Sequence, residues 1–149
     1  MKLTGLDVFD STIQRTNNWL KELMLELNSS DNRKTFLAFR SVLHALRDHL
    51  PEDDAVYLGE QLPMLLRGLY FEHWDPHGKP LPLRSRNDFF AVLSSYMARD
   101  GENTSDAEAV TRAVFRLLDR KATDGEMNDI QHVIPPVLLD LWSPRLRAA

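Results

Sequence analysis

The second half of this chain repeats the first at a constant offset of 72 residues. Arg40-Ser41-Val42-Leu43 aligns with Arg112-Ala113-Val114-Phe115, and the register then runs on without a gap. Leu46 meets Leu118, Leu58 meets Ile130, Leu62-Pro63 meets Ile134-Pro135, Leu66 meets Leu138, and Leu69-Tyr70 meets Leu141-Trp142. Glu52 and Asp54 meet Asp124 and Glu126. An apolar spacing plus a proline is the signature of a packing unit, not of a catalytic site. The repeat therefore constrains architecture strongly and chemistry weakly.

The repeated positions follow helical periodicity. Phe9, Ile13, Leu20, Leu23, Met24 and Leu27 step by three and four, which predicts an amphipathic helix over about 8–27. Phe36, Phe39, Val42, Leu43, Leu46 and Leu50 predict a second over 32–49. Pro51 followed by Glu52-Asp53-Asp54 opens a third, its acids complementing the positive helix end. Pro63 stops that helix and opens a fourth to about Phe71. In the second half, Ser85/Asp88, Ser105/Glu108 and Thr123/Glu126 have the capping-box form and open helices near 86–98, 106–120 and 124–132. Pro135 opens a last one through Trp142. The opening helices align better at an offset of 70, with Trp19-Leu20, Leu23 and Leu27 over Phe89-Phe90, Leu93 and Met97. No stretch alternates with period two.

The expectation is an all-α protein of eight helices. They form two pseudo-symmetric four-helix repeats, 8–72 and 86–142, joined by a loop 73–85 and followed by a flexible tail 143–149. Each unit alone buries a marginal core, so the repeats are expected to pack as one domain spanning 1–149.

Composition narrows the function classes. The chain has no cysteine, which removes disulfides, thiolate metal sites and a cysteine nucleophile together. No apolar run is long enough for a membrane span, and Asp7, Asp10, Arg15, Asn17 and Asn18 stand where a signal peptide is apolar. A cytoplasmic location and no membrane partner are expected. Eighteen basic residues against 22 acidic ones give a net charge of -4, which opposes a phosphate backbone. Short clusters such as Lys79/Arg84/Arg86 and Arg145/Arg147 lack interleaved aromatics, so nucleic acid is an unlikely partner. A helix-turn-helix made of the third and fourth helices would put Glu52, Asp53, Asp54 and Glu60 on the DNA.

The inter-repeat stretch His73-Trp74-Asp75-Pro76-His77-Gly78-Lys79-Pro80 is the least helical. Asp75-Pro76-His77-Gly78 fits a type I turn at every position. The alternating His73, Asp75 and His77 fit a metal loop less well, because such sites need three or four converging donors. A rigid connector is the better reading, with no metal and no cofactor.

At this point the chain resembles the bacterial domain-of-unknown-function family 2267 over nearly its full length. The matching pieces are Trp19-Leu20, Arg40-x-Val42-Leu43-His44-x-Leu46-Arg47-Asp48, Leu58-Gly59-x-Gln61-Leu62-Pro63, Arg67-Gly68-x-Tyr70, Trp74-Asp75-Pro76-x-Gly78-Lys79-Pro80 and Leu141-Trp142. The resemblance implies a small bacterial all-helical protein and brings no activity, cofactor or catalytic residue. His73 and His77 stand outside the pattern.

Other combinations have plainer accounts. Asp129-x-x-His132 is a single copy of a step that di-iron bundles use twice, with further glutamates. His44 and Asp48, four apart with His49 alongside, suit an acid–base pair or an ordinary helix-surface pair, and no nucleophile elbow accompanies them. Glu52-Asp53-Asp54 lacks the calcium-loop spacing, and no glycine-rich phosphate loop occurs. Arg40 and Arg112, charged residues among core positions, are expected to anchor each unit through a carboxylate or helix-end carbonyls.

The function these features favour is a non-catalytic interaction scaffold for a protein partner or for its own copy. Contact residues are expected near the inter-repeat loop: Arg67, Tyr70, Trp74, Asp75 and Lys79. The alternative is a small-molecule binder or enzyme with its pocket between the repeats. A filled seam with an exposed apolar patch outside it would favour the scaffold.

Overall fold

The computed structural model describes residues 3–101 and 106–142, and every regular element among them is helical. Helix α1 spans Asp7–Leu27, α2 Asn32–Asp48, α3 Glu52–Gln61, α4 Met64–Phe71, α5 Arg86–Arg99, α6 Ala107–Thr123 and α7 Leu139–Trp142. Two single 3-10 turns, Gln131–Val133 and Pro136–Leu138, precede α7.

Seven α-helices therefore stand where eight were expected, and the reason lies in one cap. Thr123 does not start a helix; it ends α6, and its hydroxyl donates to Asp119 O at 2.9 Å. Gly125 takes φ +79°, with Gly125 N–H on Ala122 O at 3.1 Å and Glu126 N–H on Lys121 O at 2.9 Å. This is the Schellman stop that glycine just past a helix favours. Asn28 ends α1 the same way, at φ 52°. With Gly125 spent on the stop, residues 124–130 form a turn, and the last predicted helix shortens to a 3-10 turn plus α7. The opening cap of α6 is Asp106, whose carboxylate accepts from Ala109 N–H at 2.9 Å; Ser105 lies outside the described residues, as does the tail 143–149 with Arg145 and Arg147.

Helix α2 occupies the centre, in contact with α1, α4, α5 and α6, and all residues from 41 to 50 are buried. One contiguous core runs from Trp19 to Trp142. At the offset of 72, both members of Leu43/Phe115, Leu46/Leu118, Leu58/Ile130, Leu62/Ile134, Leu66/Leu138 and Tyr70/Trp142 are buried. The first helix of each half packs on the second helix of the other, α1 on α6 and α5 on α2.

Charged residues line the α1–α6 seam. Glu26 receives Arg116 at 2.8 Å and Arg120 at 2.5 Å. Lys121, 3 % exposed, lies over the Trp19 ring and pairs with Glu22 and with Glu126, the latter at 2.9 Å. Burial alone would lower the Lys121 pKa, but its hydrogen bonds to Glu22 and Glu126 outweigh that and raise it. The Tyr57 hydroxyl donates to Asp129 O at 3.1 Å, a contact between positions 72 apart.

Candidate functional site

Two surface features stand out, and neither coincides with the loop. The first is a groove of about 750 Å³ between the N-terminal half of α1 and α4, lined by Phe9, Ile13, Phe36, Met64, Leu65 and Leu69 among others. The α1 stripe faces the core only toward its C-terminal part. Trp19 and Leu23 are buried, while Phe9 is 44 % exposed and looks into the groove. The apolar stripe that marks α1 therefore leaves the core at its start, where α4 is too short to cover a helix of 21 residues. Val8, also exposed, shares the adjoining recess with Met64. Thr4 N–H and hydroxyl both donate to Asp10 Oδ1, at 2.8 and 2.9 Å, folding the segment ahead of α1 back onto it. The Thr4 backbone donor is the leading reason the Asp10 carboxyl sits below its ordinary pKa.

The second feature is a polar cleft of about 370 Å³ between α2 and α5, at the seam of the halves. Arg47 forms its floor at 2 % exposure. Its guanidinium donates to Tyr70 O at 2.6 Å, Glu72 O at 3.0 Å and Asp48 Oδ1 at 3.1 Å. His44 Nε2–H donates to Leu69 O at 2.8 Å. Together the two side chains help satisfy the open carbonyls at the end of α4, where the C-cap Glu72 N–H reaches only Leu69 O, at 3.3 Å. The Tyr96 hydroxyl donates to Asp48 Oδ2 from the α5 side. Burial, first, and then this bond to Asp48 raise the Tyr96 pKa. Burial likewise dominates in lowering that of His44, with Arg47 adding to it. His44 and Asp48 do not pair with each other, so the acid–base reading of that step has no geometry behind it.

The five residues expected at a contact surface are scattered. Tyr70 is fully buried, its hydroxyl donating to Ala55 O at 2.7 Å, so it belongs to the core. Arg67 is exposed and caps the end of α3 through Leu62 O at 3.2 Å. Trp74 is half-buried against Phe71, its indole N–H without a protein partner. Asp75 is exposed and Lys79 half-buried. The connector turn is displaced by one residue from the expected one: Lys79 N–H meets Pro76 O at 3.1 Å, placing Gly78 at its third position with φ +73°. That position favours glycine, which decides the register. Asp75 accepts from His77 N–H at 3.0 Å and from its ring at 2.9 Å, and the backbone donor leads in lowering the Asp75 pKa. His73 and Glu72 approach each other at 3.8 Å, and no group of three metal-binding side chains forms among the described residues. His132 stacks edge-on against Tyr57.

Arg40 and Arg112 hold the kinds of partner expected of them. Arg40 reaches Asp100 at 2.6 Å, across the seam rather than within its own half. Arg112 holds Glu108 at 3.0 Å and Asp140 O at 3.0 Å. The more deeply buried cations, Arg47 and Lys121, were passed over in the sequence. Their only signal there is a charged letter inside a helical apolar pattern.

No helix among the described residues is long and apolar enough to cross a membrane. No curated protein matches the chain. The family model described as "uncharacterized conserved protein (DUF2267)" matches residues 16–141. That span runs from the first buried turn of α1 to the penultimate residue of α7 and takes in both the groove's α4 wall and the whole polar cleft, and on it the chain belongs to the DUF2267 family.

Proposed function

We propose that this protein is a non-catalytic interaction module that associates with a second copy of itself through the α1–α4 face. One observation carries the reading: of the eight large apolar side chains that are exposed among the described residues, Phe9, Met64 and Leu65 line this one groove and Val8 shares the adjoining recess with Met64. Apolar surface gathered on one face marks a docking site, whereas scattered residues would not. The same face carries a ridge, the exposed Val8 in the first turn of α1, with the groove beside it. A twofold arrangement sets each ridge into the other copy's groove, the self-complementarity an isologous dimer requires. The rim charges suit it: Asp7, without a partner among the described residues, can meet Arg67 of the other copy. Trp74 packs on Phe71 at the far end of α4.

The rigid frame behind the face is, in this reading, a duplicated unit. Paired buried positions at the offset of 72, the reciprocal packing of α1 on α6 and α5 on α2, and the Tyr57–Asp129 contact all support duplication. They also pack much of the seam with buried apolar side chains, which supports cohesion.

Sedimentation equilibrium across a wide concentration range tests the proposal. The wild-type chain is expected to reach twice the monomer mass. Leu65→Asp should hold it at monomer mass with an unchanged helical spectrum, and Leu25→Asp, on an exposed position elsewhere, should not. Asp7→Arg should weaken association and Asp7→Arg combined with Arg67→Asp restore it. A wild-type monomer at every concentration, or a dimer indifferent to Leu65→Asp, overturns the reading.

A further inference from the structure

The α2–α5 cleft holds more polar chemistry than a structural seam needs. We propose that it binds a small organic acid carrying a hydroxyl next to its carboxylate, with Arg40 and Arg99 on the carboxylate and Ser41 and His44 on the hydroxyl.

Ser41 sets the inner end. It is 1 % exposed, lines the cleft, and its hydroxyl has no hydrogen-bond partner. A buried hydroxyl left unpaired is unfavourable, by about 1–3 kcal/mol in protein interiors, and a ligand oxygen removes that cost. His44 supplies the complementary half. A carbonyl can only accept, so the contact to Leu69 O fixes the proton on Nε2. Nδ1 is then a lone-pair acceptor, and it has no partner among the described residues. Burial keeps the ring neutral and so preserves that acceptor. One donor and one acceptor side by side are what an alcohol satisfies, accepting from Ser41 and donating to His44.

At the mouth stand two guanidinium groups. Arg40 uses one nitrogen on Asp100 and lies over the Phe36 ring, leaving the rest of its donors without a partner among the described residues. Arg99 is stacked on the Tyr96 ring at 5.2 Å and makes no ion pair among the described residues. Arginine's planar donor edge suits a carboxylate. The acids that share the cleft are Asp100, held by Arg40, and Glu72 at its edge. Arg47 beneath is committed to Asp48 and the α4 carbonyls and contributes only fixed positive charge. A volume of about 370 Å³ fits a compact metabolite and falls in the range of small-molecule sites.

This site shares none of its ligand-holding residues with the α1–α4 face, so either proposal can fail alone. Calorimetric titration of the full chain with malate, succinate and inorganic phosphate tests it. Malate should bind saturably at one per chain, and succinate, lacking the hydroxyl, roughly tenfold more weakly, for the loss of two hydrogen bonds of modest net worth. Ser41→Ala should bring malate down to the succinate level without lowering the melting temperature. Arg99→Gln should weaken malate and succinate alike. Absence of saturable malate binding, equal binding of malate and succinate, or malate binding indifferent to Ser41→Ala each overturns the proposal. Phosphate binding as tightly as malate overturns it too, reducing the cleft to a general anion patch.

Discussion

Arg47 shows how much one side chain can hold. It is fully buried, paired with Asp48, and closes the carbonyl end of a helix more than twenty residues downstream. Removing it strands a buried carboxylate, and breaking such a pair costs about 3–5 kcal/mol. Arg47→Ala is therefore expected to lower Tm by roughly 10 °C or more in a chain of this size, read by circular dichroism. His44 gives a pH signature. Its pKa is lowered in the folded state, so the unfolded chain binds the proton more readily; the stability it contributes is complete above the unfolded value of about 6.5 and is lost as pH falls through the lower folded value. The Tm should fall between pH 7.5 and 5.5 (about one unit either side of the free imidazole). His44→Gln, which can still donate to Leu69 O but cannot titrate, should flatten that slope. A slope unchanged in the variant would assign it to another group. Neither role was legible in the sequence, where Arg47 and His44 are letters in a helical pattern and the carbonyls they serve carry no side-chain signature.

Periodicity and punctuation were legible where a local rule acted alone. Helices α1 to α6 begin and end within a few residues of their predicted bounds because caps, prolines and apolar spacing agree. The reading failed at Thr123-Asp124-Gly125-Glu126, where one string satisfies two rules: Thr-x-x-Glu can open a helix, and glycine in the left-handed region can close one. The second prevails because α6 already has a buried face to follow through Lys121. The opening of α1 was placed correctly, but its burial was not legible. An amphipathic stripe shows that a face is apolar, not whether a neighbour is long enough to cover it. Where α3 crosses α4, Gly59 marks a close approach: a Cβ there would lie 2.8 Å from the buried Tyr70 ring and 2.4 Å from Phe71. Phe71 can swing outward and Tyr70 cannot. Gly59→Ala should thus destabilise by about 1–3 kcal/mol, as overpacking does, despite the higher helix propensity of alanine. A denaturant midpoint equal to or above wild type would show that the ring has room to yield.

At the level of the molecule, the halves are interleaved rather than set side by side. The connector makes few ties to them, among them Leu81 N–H on Asp48 O at 2.8 Å. A protease site placed at 76–79 should give a nicked protein that still elutes as one body and separates only in denaturant; a half that elutes alone with its own cooperative melt would refute interleaving. The offset of 72 was visible from the letters, but not the exchange of partners, since a repeat records which positions are buried and not which copy buries them. That exchange also has a cost in time. Trp19 meets Glu126 across 107 positions, so during synthesis the side of the opening helix that faces α6 emerges uncovered. At ribosomal speeds of about 5–20 residues per second it waits roughly 5–20 s for its mate. In that interval the nascent chain shows the side of α1 that α6 later covers, and a slower codon run before α6 would lengthen its exposure.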